Sequence, residues 1–195
     1  VGLLAWTPTS DGPWIRRGAR GVAQAAVPRP GQLSAHGFAE LEQLRRMIGR
    51  AGVPLALTPD DVDLAGVGTP RIVIAVEGGD FLEGSLDGLA RAHALGLRHL
   101  QLVHYLRGAI GDIQTAAPTY GGLSAFGREL VAACGRQGIL VDLAHCTREG
   151  VDMALDATAV APIWSHGVIA TGDEHWSQPG SQARRLNLAR ARRIA

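Results

Sequence analysis

The sequence predicts an α/β fold, a (β/α)8 barrel of the TIM type that is incomplete in this chain, with its first and last strands missing. Apolar runs suited to buried strands alternate with helical patterns from residue 71 onward, which is typical of a parallel sheet covered by helices. The 195 residues, 46% of them hydrophobic, suffice for one core, but a complete barrel needs roughly 250. We therefore expect residues 1–195 to form a single domain, a fragment of a longer barrel.

The elements follow in order from capping residues and periodicity. Residues 1–34 are rich in Gly and Pro and show weak periodicity, and a helix is expected over 34–50. A short strand over 53–57 precedes a helix start, with Thr58 as N-cap and Pro59 at the first helical position. The later strands are predicted over 71–79, 97–104, 139–145 and 161–166. The later helices are predicted over 85–96, 123–138 (N-cap Ser124), 147–158 (N-cap Thr147) and in the final "LNLARARRIA".

A doubly wound sheet is the alternative architecture. Such a sheet more often has a Gly-rich phosphate loop after its first strand, and "VEGGDFLEG" contains neither G-x-G-x-x-G nor a Walker lysine. The barrel is favoured because each strand ends in an equivalent polar group, and barrel active sites collect residues from several strand ends.

Composition excludes several classes of function. A net charge of +1 does not favour nucleic acid. We find no run of about 18 apolar residues and no signal peptide, so we expect no membrane segment. All 19 basic residues are arginines, which suggests a bacterial source and therefore a cytoplasmic protein. The absence of lysine also excludes a Schiff base or carbamylated lysine within the chain. Cys134 and Cys146 are predicted to be buried free thiols.

Four predicted strands end in a carboxylate or an imidazole: Glu77, His104, His145 and His166. The carboxyl ends of barrel strands meet on one face, so these groups should converge. Imidazole is the commonest protein ligand for zinc-like ions, and a buried unpaired carboxylate is costly. We interpret Glu77, His145 and His166 as metal ligands, and Asp142 as a group that orients a ligand. His104 is either a further ligand or a donor to an oxyanion.

Each of these groups also has a structural alternative. Glu77 can pair with an arginine, and a single strand-end histidine is more often a hydrogen-bonded structural residue. Four equivalent positions favour the functional interpretation. His93 and His99 lie inside a helix and a strand, and we expect both to be structural or exposed.

Several motifs in residues 70–195 resemble one known family. The most specific is "GGLSAFGRELVAACGRQGILVDLAH", and "EGG", a strand ending in His, "WSH" and an Arg-Arg-x-Asn element accompany it. Together they resemble the membrane (renal) dipeptidase family of zinc peptidases. The resemblance implies a (β/α)8 barrel with two zinc ions in a complete site. It also implies hydrolysis of dipeptides, as small-molecule substrates, by a hydroxide that bridges the metals, and it is compatible with a homodimer.

The resemblance assigns roles to particular residues. Glu77 would bridge the two metals, and the second metal would be bound by His145 and His166. His104 would contact and polarise the substrate carbonyl. The C-terminal carboxylate of the substrate would be bound by an arginine of "ARRLN", either Arg185 or the adjacent Arg184.

The chain departs from the family in two ways. No His-x-Asp pair, which holds the family's first metal, occurs in the sequence, and the chain ends before the late-strand Asp that handles the proton. We therefore keep two alternatives: a non-peptide amidohydrolase on the same barrel, and a truncated, non-catalytic barrel without the first metal site.

Overall fold

The computed structural model describes residues 3–6, 12–18, 21–24, 27–170 and 185–195. The strands are β1 Leu3–Trp6, β2 Ile15–Gly18, β3 Gly21–Gln24, β4 Arg71–Glu77, β5 Leu97–Gln101, β6 Leu140–Asp142, β7 Val168–Ala170 and β8 Arg185–Asn187. The helices are α1 Gln32–Ala51, α2 Pro59–Val67, α3 Leu86–Ala94, α4 Ala125–Gln137, α5 Arg148–Ala157 and α6 Leu188–Ile194. Strands and helices alternate from β4 to α5, which confirms the predicted α/β class.

Four strands form one parallel sheet in the order β1-β4-β5-β6. A single parallel pairing of Asp142 with Ile163 places the next segment of the chain beside β6. A doubly wound sheet reverses its strand order at a switch point, whereas the described strands from β4 onward follow the order of the chain. Two smaller sheets pair β2 with β3 and β7 with β8. In the main sheet β4, β5 and β6 thus follow one another in one direction, and the closed eight-stranded barrel stays a prediction.

The first 34 residues contain strands that the sequence did not predict. β1 extends the parallel sheet beyond β4, with Leu3 in register with Arg71, and β2 and β3 form an antiparallel pair. Each of the three strands has only 4 residues, too few for an alternating hydrophobic pattern to identify. The weak periodicity of this region therefore did not reveal its short strands.

Two predicted strands are reduced to single paired residues. In the segment 53–57 only Leu55 pairs with the sheet, opposite Ile72, next to a proline that has no N–H to donate. In the segment 161–166 only Ile163 pairs, and two residues later the Ser165 N–H donates to the Asp142 side chain at 3.1 Å. A carboxylate thus replaces the neighbouring strand as the hydrogen-bond partner.

The hydrophobic core lies between the sheet and helices α1, α3, α4 and α5. Ile74, Val76 and Leu100 contribute to it from the strands, and Phe38 of α1 packs edge-on against Phe81 with ring centroids 5.4 Å apart. Burying each such side chain stabilises the fold by about 1.5–3 kcal/mol. This packing fixes the direction of the strands whose ends carry the polar groups.

Both cysteines are buried free thiols, as predicted. Burial raises the pKa of Cys134 to about 12, so its thiol is protonated at neutral pH and behaves as an apolar core group.

Side-chain caps define the starts of three helices, as the sequence predicted. Thr58 and Asp61 form a reciprocal capping box on α2. Ser124 accepts the Gly127 N–H at 2.9 Å at the start of α4, and Thr147 caps α5. Among the described residues, none of the helices combines the length and apolarity that a bilayer crossing requires.

Candidate metal centre

The register of the strands brings the polar strand ends to one level of the sheet. Glu77, the last residue of β4, is in register with Gln101, and Gln101 is in register with Asp142. Paired residues on adjacent strands point to the same face. Glu77 and Asp142 are therefore at the same end and on the same face, opposite the face that Ile74 and Val76 direct into the core.

Three predicted ligands come together at this end. Donor atoms of Glu77, His145 and His166 all lie within 4.8 Å of one another. The two imidazoles face each other, with their Nε2 atoms 2.8 Å apart, and Glu77 Oε1 lies 3.7 Å from His166 Nε2. Two imidazole nitrogens and a carboxylate oxygen directed at one point are a donor set that suits zinc.

His104 lies on the other side of Glu77. Its Nε2 is 3.8 Å from Glu77 Oε2, and its ring centroid is 4.9 Å from that of His145. His104 is 8% exposed, so its imidazole lines the centre rather than the outer surface. Glu77 thus directs one oxygen toward His166 and the other toward His104.

An unusual backbone conformation directs His145 into the cluster. Its φ is 67°, in the left-handed region that few residues other than glycine adopt. The turn is held by the Cys146 N–H, which donates to Leu143 O at 3.1 Å, and by Gln114, whose N–H donates to His145 O at 3.1 Å. Such a conformation costs on the order of 1–3 kcal/mol and persists where surrounding contacts enforce it.

Asp142 supports both histidines through the backbone. Its Oδ1 accepts the Ala144 N–H at 3.0 Å and the Ser165 N–H at 3.1 Å, and these residues immediately precede His145 and His166. Its Oδ2 lies 3.2 Å from His99 Nε2. His99, expected to be structural or exposed, is thus a partner of this buried carboxylate.

The pKa of Asp142 results from opposing effects. Burial alone would raise it, but hydrogen bonds from the His99 and Ser165 side chains and from the two backbone N–H groups lower it below the ordinary aspartate value. The carboxylate is therefore ionised at neutral pH and acts as a hydrogen-bond acceptor.

Two further side chains at the centre were not predicted from the sequence. Ser165 Oγ lies 2.8 Å from His166 Nδ1, and the Tyr105 ring packs on His104 and His145 with centroid distances of 4.1 and 5.1 Å. Each directly neighbours a predicted site histidine in the sequence, in "WSH" and "VHY". In the sequence, only this adjacency to a predicted site histidine could have identified Ser165 and Tyr105.

The loop between β5 and α4 supports the His145 turn. Asp112, which was not predicted to have a role, accepts backbone N–H bonds from Thr119 (2.6 Å), Tyr120 (3.0 Å) and Gly122 (2.8 Å). Burial would raise the pKa of Asp112, but these bonds lower it. Ile113 of the same loop pairs with Cys146. The loop is therefore connected to the residue that follows His145.

The predicted carboxylate-binding arginines are only partly described. Arg185 begins β8 and is in register with Val168, two residues after His166. Arg184 lies outside the described residues. Carboxylate binding by either arginine stays a prediction.

Comparison with known proteins shows which protein family this chain matches. Residues 26–175 match a family model described as membrane dipeptidase, peptidase family M19. An uncharacterized dipeptidase of Schizosaccharomyces pombe is 34% identical over 112 residues, which are 55% of this chain and 27% of that protein. The chain therefore spans about a quarter of the length of this curated relative.

Solved structures share the fold. The dipeptidase AC, a metallo peptidase of family M19, matches with a TM-score of 0.73 and 23% identity over 99% of this chain and 56% of that chain. A metallo peptidase from Rhodobacter sphaeroides, liganded with a phosphinate mimic of the dipeptide L-Ala-D-Ala, has a TM-score of 0.70 and 23% identity. That match covers 86% of this chain and 48% of the other.

Proposed function

The chain belongs to the membrane dipeptidase family, peptidase family M19, and on that premise we propose that its strand-end centre serves metal-dependent hydrolysis of dipeptides. The observation that carries the proposal is the convergence of Glu77, His145 and His166 within 4.8 Å. These groups come from three separate segments of the chain, and no hydrophobic requirement of the core explains why they meet.

The donor set supports zinc as the metal. His145 and His166 would hold one ion through Nε2, and Glu77 would be shared with a second ion, because its two oxygens face different histidines. When bound, zinc supplies Lewis-acid activation of water and of the scissile carbonyl. The chain contains no His-x-Asp pair, so the remaining ligands of the first ion of a two-zinc site are not assigned among its residues.

The side chains around the ligands suit a short peptide substrate. His104 lies beside Glu77 and is placed to donate a hydrogen bond to the scissile carbonyl as its oxygen gains charge. Arg185 would bind the C-terminal carboxylate of the substrate through a bidentate contact, which would restrict the site to short peptides. The dipeptide mimic bound by the Rhodobacter sphaeroides relative supports the same substrate class.

We also propose that the sheet is part of a closed (β/α)8 barrel and that residues 1–195 form one domain of it. The strand order of β4, β5 and β6, followed by the pairing at Ile163, supports this architecture. An experimental structure in which the strand order reverses would contradict it.

The decisive variant is Glu77→Gln, which keeps the shape of the side chain but removes its charge. We expect loss of bound zinc, measured by mass spectrometry on protein purified without chelator. We also expect a fall in dipeptide hydrolysis of more than about 100-fold, because even outer partners of metal ligands cost 10–100-fold. The matched control is Glu129→Gln on the exposed face of α4, which should retain both properties.

The outcomes separate the alternatives. Full zinc content in Glu77→Gln would contradict the bridging role. An intact fold by circular dichroism with no bound metal in the unsubstituted protein would favour the non-catalytic barrel. Hydrolysis of cyclic amides but not of dipeptides would favour the amidohydrolase.

A further inference from the structure

Gln114, in the loop between β5 and α4, contacts the turn that contains His145 at two points. Its backbone N–H donates to His145 O at 3.1 Å, and its side-chain Nε2 donates to Cys146 O at 2.9 Å. The direction of both bonds is fixed, because a peptide carbonyl oxygen can only accept and an amide N–H can only donate. Gln114 therefore binds two successive carbonyl groups, that of His145 and that of the next residue.

These two bonds act on a backbone conformation that needs support. His145 has a φ of 67°, and residues other than glycine keep the left-handed region only where surrounding contacts enforce it. Both carbonyl groups follow the left-handed residue directly, so fixing them fixes the direction in which the chain leaves His145. A change in that direction would turn the His145 imidazole away from Glu77 and His166, whose donor atoms it meets within 4.8 Å.

The backbone that carries Gln114 is itself anchored on both sides. Ile113 pairs with Cys146 in a single antiparallel pairing. The Asp112 N–H donates to Gly122 O at 2.8 Å, and the Asp112 carboxylate accepts the Gly122 N–H at 2.8 Å. The side chain of Gln114 thus projects from a segment that is tied to the turn and to the residues that lead into α4.

The polarity of the Gln114 side chain is explained by its bond to the turn. Its Oε1 is buried and makes no hydrogen bond within the described part of the chain. A buried acceptor without a partner is unfavourable, so an apolar side chain of the same length would serve better if Gln114 only filled space. Its Nε2, by contrast, satisfies Cys146 O.

We propose that Gln114 is a positioning residue for the metal centre: its side-chain amide, bonded to Cys146 O, keeps the turn in the conformation that directs the His145 imidazole at Glu77 and His166. Partners that orient a metal ligand are commonly as important as the ligand itself. The inference rests on the proposed metal-binding function and extends it to a side chain of the loop between β5 and α4.

The test compares two substitutions of similar length. Gln114→Met removes the amide donor, and Gln114→Glu also places a carboxylate oxygen against Cys146 O. We expect zinc affinity, measured by competition with a chromophoric chelator, to fall about 10-fold in Gln114→Met, the lower end for loss of a ligand's outer partner. It should fall further in Gln114→Glu, because two acceptors repel. The matched control is Gln43→Glu on the exposed face of α1, which should keep the affinity.

A second readout does not depend on metal. In chelator-treated Gln114→Met, the backbone N–H groups of Gln114 and Cys146, which close the turn, should exchange with solvent several-fold faster, as expected for local opening after loss of one hydrogen bond. The Gly127 N–H, which Ser124 accepts at the start of α4, is the internal reference and should exchange at an unchanged rate. A general loss of stability would accelerate all three.

Two results would overturn the proposal: turn N–H groups of Gln114→Met that exchange no faster than the reference, or unchanged zinc affinity in both variants. A protein with the expected zinc affinities that hydrolyses no dipeptide would contradict the proposed function alone. A protein that binds no zinc would also contradict that function, and the exchange rates would still decide whether Gln114 holds the His145 turn.

Discussion

At the scale of single residues, Asp142 connects the parts of the proposed centre. One of its oxygens binds the N–H groups that precede His145 and His166, and the other faces His99. Hydrogen bonds to an ionised group are worth about 1.5–3 kcal/mol each. A change in its charge should therefore affect stability and both histidines together.

We predict that Asp142→Asn lowers the free energy of unfolding by about 1.5–3 kcal/mol, because charge-assisted bonds become neutral ones. It should also weaken zinc binding, since the backbone before each histidine is held less firmly. Urea unfolding and chelator competition measure the two effects.

Asp61→Asn is the matched control for Asp142→Asn. Asp61 also accepts backbone N–H bonds, but it does so in the capping box of α2, away from the centre. Its substitution should leave zinc affinity unchanged. If Asp142→Asn also left zinc affinity unchanged, its support of the histidines would be refuted.

The sequence predicted the residues of the cluster and one of their supports, Asp142, but not the others. Glu77, His145 and His166 were found because each follows an apolar strand. The contact of Ser165 Oγ with His166 Nδ1 depends on the side-chain conformations of the two neighbours, and the direction of the His145 side chain depends on a φ of 67°. Neither is encoded in residue type or spacing.

At the scale of elements, the sequence predicted the helix caps correctly but not the extent of strand pairing. Thr58, Ser124 and Thr147 cap helices as expected, because a cap needs only residues within one turn. The segments around Leu55 and Ile163 each make only one pairing in the sheet, because pairing depends on distant partners. The strands before α1 were missed because each has only 4 residues, too few to show an alternating pattern.

Helix α6 is attached to α5 by two arginines. Arg190 contacts both oxygens of Asp152, with Nη2–Oδ2 at 2.6 Å, and Arg193 contacts Asp152 at 3.2 Å and Asp156 at 2.6 Å. Because α6 directly follows β8, which begins at Arg185, this ion-pair cluster holds the segment that carries the predicted substrate ligand.

We predict that Asp152→Asn loosens α6 by about 1 kcal/mol, at the upper end for partly exposed ion pairs. Hydrogen exchange of the amides in 188–194 should become faster, and high salt should produce the same change in the unsubstituted protein. Asp156→Asn is the matched control. Asp156 is 73% exposed and, within the described part of the chain, bonds only Arg193. Its substitution should therefore have a smaller effect, and equal effects would argue against the cluster centred on Asp152.

At the scale of the whole molecule, two buried carboxylates couple stability to pH. Backbone hydrogen bonds lower the pKa of Asp112, and hydrogen bonds from His99, Ser165 and the backbone lower that of Asp142, in each case against the effect of burial. A carboxyl group with a lowered folded pKa contributes stability that is complete above the unfolded value of about 3.9. That stability is lost as the pH falls through the folded value.

We therefore predict that the free energy of unfolding decreases below about pH 4, by at most about 1.4 kcal/mol per pH unit for each group. Urea unfolding at pH 7, 4.5, 3.5 and 3 measures the slope. Asp112→Asn should flatten it, because one of the two groups no longer takes up a proton. An unchanged slope in that variant would refute the contribution of Asp112.

The left-handed backbone at His145 also limits how the proposed centre can evolve. Among residues other than glycine, Asn, Asp and His tolerate this region best, and of these only Asp and His are common zinc ligands. Exchange of His145 for Cys or Glu would therefore carry an additional backbone cost, whereas exchange for Asp would not. If the ligand at this position is replaced, Asp is therefore favoured, and the metal preference would shift toward ions that bind oxygen donors.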